Sequence, residues 1–179
     1  MIRFVKLISF TALMAVVLFA ARNRQRTAEN TLSPPAATTI KLGGSELDID
    51  YNAPSARGRQ VEGGLIPYGE WYRLGADAAT TLTTATDIKI GDLRVPKGVH
   101  TLFLFATKDS WQLIVNNQTK QWGLSYNQKQ DLGRINMKLS KLRAPVEQMR
   151  LVLAVTTPKS ATLSLEWGTT RAEVPIAIE

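Results

Sequence analysis

The residues best suited to chemistry lie in one stretch, Tyr51 to Thr84, where arginines and aromatic residues are interspersed with glycines and prolines. Arginine forks bind carboxylates and phosphates with two hydrogen bonds at once and stack on aromatic rings. Several of them on one ordered loop predict a pocket for a small anion or a sugar acid. The alternative is that they hold the loop to itself, with Arg73 and Asp77 paired across a turn. The candidate ligand-binding residues here are Arg57, Arg59, Tyr68, Trp71, Arg73 and Asp77.

Two further aromatic residues, Trp122 and Tyr126, lie in a second polar stretch from Asn116 to Leu132. Together with Trp71 and Tyr72 they are able to form a platform on which a sugar ring stacks. Trp and Tyr serve equally well to close the end of a hydrophobic core, so that alternative stays open. We add Trp122 and Tyr126 to the candidate ligand-binding residues.

Signals for catalysis are weak. Hydrolysis of a glycosidic bond needs two facing carboxyl groups, and Glu62, Glu70 and Asp77 are available in the first stretch. The single histidine, His100, falls on the same face of a strand as Leu102, which favours a buried structural role. The chain has no cysteine, so thiolate chemistry is excluded. We predict no catalytic residue, no metal site and no cofactor.

The loop that carries these residues must be ordered if it is to act. Loops longer than about 12 to 15 residues without regular structure are usually functional or disordered. Leu65, Ile66 and Trp71 argue against disorder, since disordered segments lack such apolar residues. We expect the stretch to pack against the rest of the domain.

The remainder of the chain reads as short β-strands. Apolar residues alternate with polar ones, as in Leu47, Ile49 and Tyr51, and no long segment has helical spacing. Eight or nine strands predict an all-β antiparallel β-sandwich, jelly-roll-like, or a flattened barrel. Four late strands are expected to be separate: 135–139, 151–155, 163–167 and 172–178.

The N-terminus differs from the body of the chain. Residues 1–22 combine a basic head with an apolar run, as in a signal peptide or an uncleaved membrane anchor helix, and residues 23–37 form a polar, proline-containing linker. The β-domain is then expected to span residues 38–179. The net charge is +7, but five of the basic residues lie in the first 26 positions. The body is therefore nearly neutral, which excludes a nucleic-acid partner.

The order of motifs resembles a known bacterial family, the domain of unknown function 2911. The resemblance rests on Pro54-Ser55-x-Arg57-Gly58-Arg59, on Gly63 to Gly69, and on Trp71-Tyr72-Arg73-x-Gly75-Ala76 followed by Ala79-Thr80-Thr81. Further landmarks are Pro96-x-Gly98, Trp122-Gly123 and Leu165-Glu166-Trp167. The family usually has asparagine at the position of Asp77. The resemblance implies an exported, mainly β domain and no assigned reaction.

From these observations we expect a cell-envelope binding module for a small anionic or carbohydrate ligand, periplasmic or secreted. If the leader is uncleaved, it is the only contact with the membrane and anchors the domain to the inner membrane. The first alternative is a carbohydrate-active or other hydrolytic enzyme that uses acids of the 51–84 loop. The second is a structural or protein-interaction domain without a small-molecule site.

Overall fold

The structure is a computed structural model that describes residues 32–179. The predicted leader and most of the predicted linker lie outside these residues. The described chain is built almost entirely from antiparallel strands, with one short 3₁₀ helix at Gln128–Gln130. The strands are β1 (Pro35–Leu42), β2 (Ser45–Asn52), β3 (Trp71–Arg73), β4 (Thr80–Thr84), β5 (Ile88–Ile90), β6 (Leu93–Val95), β7 (Gly98–Ala106), β8 (Trp111–Asn116), β9 (Asp131–Thr157) and β10 (Ser160–Ile178).

The strands form one hydrogen-bonded sheet in the order β1-β2-β4-β7-β8-β9-β10-β5-β6, and β3 pairs with β7 beside β4. The prediction of an all-β antiparallel fold is confirmed. The sheet has two free edges, at β1 and β6, so the alternative of a closed barrel is wrong. Among the described residues, no helix is long and apolar enough to cross a membrane.

The spacing of apolar residues explains the strands that hold the Tyr51 to Thr84 stretch in place. In β2, Leu47, Ile49 and Tyr51 are buried, whereas the acidic residues between them face outward. Strand β7 lies in the middle of its part of the sheet and is buried on both sides, which explains its continuous apolar run. It pairs with both β3 and β4 along one edge and with β8 along the other.

Strands β9 and β10 are longer than predicted. The four expected short strands merge into two, because Pro145 and Gly168 produce bulges where we expected strand ends. Gly168 has a φ of 58° and pairs with Val146, whereas Thr170 pairs with Lys141. Residues 142–145 therefore have no partner in the ladder, and the missing N–H of Pro145 is not needed there.

The β-domain starts earlier than expected. β1 begins at Pro35, three residues before Thr38, and pairs with β2 along its whole length. Pro35 can open this strand because β1 is an edge strand, where one side of the backbone faces away from the ladder.

One end of the sheet, β1-β2, meets the interior strand β9 through polar contacts as well as through the main hydrophobic core. The backbone N–H of Leu151 in β9 donates to the hydroxyl of Tyr51 in β2 at 3.1 Å. The N–H of Leu153 donates to Thr38 Oγ1 in β1 at 3.3 Å. These contacts bring the outer pair β1-β2 against the distal half of β9.

Candidate functional site

The stretch between β2 and β4 packs against the domain, as expected. Its first part runs beside β9, where Ala56 N donates to Glu147 O and Met149 N donates to Pro54 O, both at 2.9 Å. Further along, Val61 and Ile66 are buried in the main core. The stretch is thus an ordered part of the fold and can position side chains.

Arg57 and Arg59 hold the loop to the protein. Arg57 Nη2 donates to the backbone carbonyl of Leu32 at 2.9 Å. Arg59 donates from Nε to Ala56 O at 2.9 Å and from Nη2 to Ser55 O at 3.0 Å. The guanidinium of Arg57 thus ties the loop to the segment before β1, and that of Arg59 satisfies backbone carbonyls of its own loop. Both are the structural alternative considered for these residues.

Glu62 anchors the middle of the loop to the bulge in β10. Its Oε1 accepts hydrogen bonds from the backbone N–H and the hydroxyl of Thr169, at 2.9 and 3.1 Å, and from the hydroxyl of Thr170 at 2.8 Å. Burial alone would raise the pKa of Glu62, but the hydrogen bonds from Thr170 and Thr169 outweigh burial and lower it. The sequence showed Glu62 only as one of several acids, because its partners lie more than a hundred positions away.

Tyr68 is 41% exposed and lies over Gly63 at the rim of a cleft next to Glu62. It shares this cleft with Trp111 of the main core, whereas Trp71 and Tyr126 pack against a separate hydrophobic cluster. The predicted single site is therefore divided between different surfaces.

Trp71 and Tyr126 meet on the outer face of the sheet. The Trp71 ring lies 4.9 Å from Tyr126 and 5.9 Å from Phe103, measured between centroids, with an edge-on arrangement to Phe103. Phe103, Ile114 and Ala79 form a small hydrophobic cluster, separate from the main core, against which both aromatic residues pack. Edge-to-face and tilted ring pairs of this kind favour one fixed orientation.

Tyr126 is fixed at its polar end too. Its hydroxyl donates to Asp131 Oδ2 at 2.6 Å and accepts from Arg134 Nη2 at 3.0 Å. Burial, with Asp131, raises the pKa of Tyr126 to about 12, so the hydroxyl keeps its proton at neutral pH. Asp131 and Arg134 were not among the predicted residues. Both look like ordinary charged positions until β9 brings them beside the aromatic rings.

Arg73, Asp77 and Trp122 converge around Gly123. The backbone N–H of Gly123 donates to Asp77 O at 2.7 Å, and a Cβ built on Gly123 would lie 3.2 Å from Arg73 Cδ. Trp122 forms an isolated β-bridge with Ala78 and is 53% exposed. Because residues i and i+2 share a face of a strand, Arg73 lies on the same side of β3 as Trp71. We call Trp71, Arg73, Asp77, Trp122 and Tyr126 the outer-face cluster.

The expected pairing of Arg73 with Asp77 is not found among the ion pairs of residues 32–179. Asp77 accepts instead from Asn52 Nδ2 at 3.2 Å and has a left-handed φ of 57°. Asn and Asp are the non-glycine residues that adopt this conformation most readily. The left-handed backbone conformation at position 77 therefore favours an aspartate or an asparagine there.

The remaining candidates for chemistry have structural roles. His100 is buried, and its two ring nitrogens lie within hydrogen-bonding distance of Asn117 Oδ1 and Pro96 O. Glu62 is tied to β10 and Asp77 to Asn52, so the bonds of these two acids hold them to different elements. Residues 32–179 contain no group of three or more His, Cys, Asp or Glu side chains suited to hold a metal ion.

The fold and the outer-face cluster define a class: an open antiparallel all-β domain whose long, ordered loop presents aromatic and cationic side chains. The chain belongs to the family described as "Protein of unknown function (DUF2911)", whose match covers residues 33–176. The resemblance noted from the motifs is thereby confirmed. No curated protein and no solved structure matches the chain.

Proposed function

We propose that this protein is a binding module of the bacterial cell envelope and that the outer-face cluster holds a carbohydrate or a small anionic ligand. The observation that carries the proposal is the 53% exposure of Trp122, which forms a β-bridge with Ala78 and precedes Gly123, the residue whose backbone lies against the Arg73 side chain. Its neighbour Leu124 is 61% exposed. Contiguous exposed apolar surface with a polar surround is typical of binding sites.

Two features suit this surface to a sugar. The face of an indole ring offers a flat apolar surface to the C–H groups of a sugar ring, and its N–H offers a hydrogen bond. Arg73 makes no ion pair with a described residue; its guanidinium lies near the hydroxyl of Tyr72, which is uncharged, and so it keeps its positive charge for a carboxylate or sulfate on the ligand. A charged sugar such as a uronic acid would use both.

The cluster is also pre-organised. The rings of Trp71, Phe103 and Tyr126 all contact one another, and Tyr126 is tied to Asp131 and Arg134. Side chains that are already immobile lose little entropy when a ligand binds. Arg57 and Arg59 are not part of the proposed contact surface, since their guanidinium groups donate to backbone carbonyls of the protein.

The test is a panel of neutral sugars, uronic acids and sulfated sugars, measured by thermal shift and then by calorimetry. For the ligand that binds, Trp122→Ala and Arg73→Ala should each weaken binding by about 2 kcal/mol or more, the range of binding hot spots. Each should lower stability by less than about 2 kcal/mol. Arg59→Ala is the matched control: it should lower stability and leave binding unchanged. Unaltered affinity in Trp122→Ala would contradict the proposal.

A protein partner is the second candidate, favoured by the exposed pair Trp122 and Leu124. The two functions differ in what Leu124→Ala does. A sugar stacked on the indole should not depend on Leu124, whereas a protein interface covering the patch should. The hydrolytic alternative has no comparable observation in its favour.

We also propose a more specific fold, a two-layered sandwich, and a location outside the cytoplasm. The contacts between β1-β2 and β9 support a two-layered, jelly-roll-like sandwich in which β9 and β10 pass from one layer to the other.

The basic and apolar character of residues 1–22 supports export to the periplasm or beyond. N-terminal sequencing of the protein from the periplasmic fraction would test export, and an intact cytoplasmic protein would contradict it.

A further inference from the structure

A cleft of 230 Å³ lies next to the anchor formed by Glu62 and Thr170, and Tyr68 stands at its rim. Trp111 and Leu139 provide its apolar lining, and both belong to or pack against the main core. The cleft is thus on the core side of β8, whereas the outer-face cluster packs around Ile114 on the other side of that strand. The two surfaces are separate.

The cleft is rich in positive charge. Lys108 and Lys141 both line it, and neither has a described carboxylate within ion-pairing distance. The one acid in the lining is Glu62. Two ammonium groups against one carboxylate favour a ligand that brings a negative charge.

Trp111 adds a neutral donor. It is 2% exposed, and no described residue accepts a hydrogen bond from its indole Nε1. This nitrogen is not fully enclosed, and the residue lines the cleft. The buried indole of Trp167, by contrast, donates to Glu147 O at 3.0 Å. A buried donor without a protein acceptor suits an acceptor on a ligand.

Glu62 supplies an acceptor in a fixed position. The hydrogen bonds from Thr169 and Thr170 orient its carboxylate. A carboxylate has about four lone-pair sites, so three bonds leave capacity for a donor from a ligand. The same carboxylate therefore anchors the loop and can accept from a bound amine or hydroxyl.

We propose that this cleft binds a small carboxylate that also carries a hydrogen-bond donor, an α-amino or α-hydroxy acid. The ligand carboxylate meets Lys108, Lys141 and the Trp111 N–H, and the ligand amine or hydroxyl meets Glu62. The volume suits a ligand of this size, since pockets for drug-sized molecules span about 300 to 1,000 Å³. The inference goes beyond the proposed function and does not depend on it.

The four tryptophans make the test specific. In the full-length protein labelled with ¹⁵N, each indole N–H gives its own NMR signal, assigned with Trp→Phe variants. Titration with glycine, L-alanine and L-lactate should move the Trp111 signal saturably at millimolar concentrations and leave the Trp122 signal in place. Acetate and methylammonium, which carry only one of the two groups, should bind at least about tenfold more weakly.

The double variant Lys108→Ala/Lys141→Ala should weaken binding about tenfold or more, whereas Lys159→Ala, in the β9–β10 hairpin, should have no effect. The difference between glycine and L-lactate tells whether the donor is an amine or a hydroxyl. The absence of any saturable Trp111 shift overturns the proposal. Equal binding of acetate overturns the role of Glu62. The Trp111 signal reports on the cleft and the Trp122 signal on the outer-face cluster. Failure of this proposal is therefore distinguishable from failure of the proposed function.

Discussion

The carboxylate of Glu62 accepts a 2.8 Å hydrogen bond from the hydroxyl of Thr170, a residue 108 positions further along the chain. With the two bonds from Thr169, this contact joins the long loop to the bulge that Gly168 introduces in β10. The most irregular part of the chain is thereby fixed to its longest pair of strands. The stability of the loop should therefore depend on Glu62.

Replacement of Glu62 by alanine should lower the free energy of unfolding by about 1 to 3 kcal/mol, because three donors lose a charged acceptor. Urea unfolding at neutral pH measures the change. Glu70→Ala is the matched control, since Glu70 is an exposed acid of the same loop with no described hydrogen bond. Equal effects of the two substitutions would show that the anchor contributes nothing.

The contribution of Glu62 should depend on pH. Its pKa is lowered in the folded state, so the unfolded chain binds the proton more tightly. The stabilisation is therefore complete above the ordinary glutamate pKa and is lost as pH falls through the lowered folded-state pKa. The difference in unfolding free energy between the unaltered protein and Glu62→Ala should shrink between pH about 7 and pH about 3. A difference independent of pH would contradict this assignment.

Tyr51→Phe should destabilise the contact between β2 and β9. The substitution removes the hydroxyl that accepts from Leu151 N and leaves a buried amide without that partner, at a cost of about 1 to 3 kcal/mol. Tyr68→Phe removes the same group from an exposed ring and should cost little. Chemical denaturation of both variants measures the contrast, and the prediction fails if they are equally stable.

Gly123→Ala should disturb the segment that carries Trp122. The added Cβ would lie 2.7 Å from the backbone oxygen of Asp77, so one of the two backbones must move. Overpacking of this kind costs about 1 to 3 kcal/mol. Thermal unfolding and the Trp122 indole NMR signal provide the measurement. Ser125→Ala, an exposed position in the same segment, should leave both unchanged.

Asp77→Asn should be close to neutral, because asparagine tolerates a φ of 57° and can still accept from Asn52. Asp77→Ala should lose about 1 to 2 kcal/mol, since alanine is strained in the left-handed region and offers no acceptor. Urea unfolding distinguishes the two. A large loss in Asp77→Asn would mean that the negative charge itself matters, as in the ion pair with Arg73 that the sequence suggested.

Much of the fold was predictable because it depends on local patterns. The alternation in β2 identified its buried residues, Leu47, Ile49 and Tyr51. The lengths of β9 and β10 were not predictable, since Pro145 and Gly168 resemble strand ends in sequence. Only the pairing partner shows that they are accommodated as bulges within continuous strands.

The candidate site, like the fold, was predictable only in part. Residue types identified the arginines and aromatic residues, but not their partners. Arg59 binds the backbone of its own loop, Trp71 stacks on Tyr126, and Tyr68 lies in a different cleft. The partners of these side chains depend on which strands lie side by side and in which register. Both are decided only when the chain folds.

By itself, the sequence determined the antiparallel all-β class, the faces of its strands, the packing of the long loop and the family, because side-chain periodicity and motif order are properties of neighbouring residues. Only the tertiary structure decided that Glu62 meets Thr170, that Tyr51 meets Leu151 and that Trp122 stays exposed. These contacts join residues far apart in the chain, and hydrogen-bond geometry exists between them only once the sheet has formed.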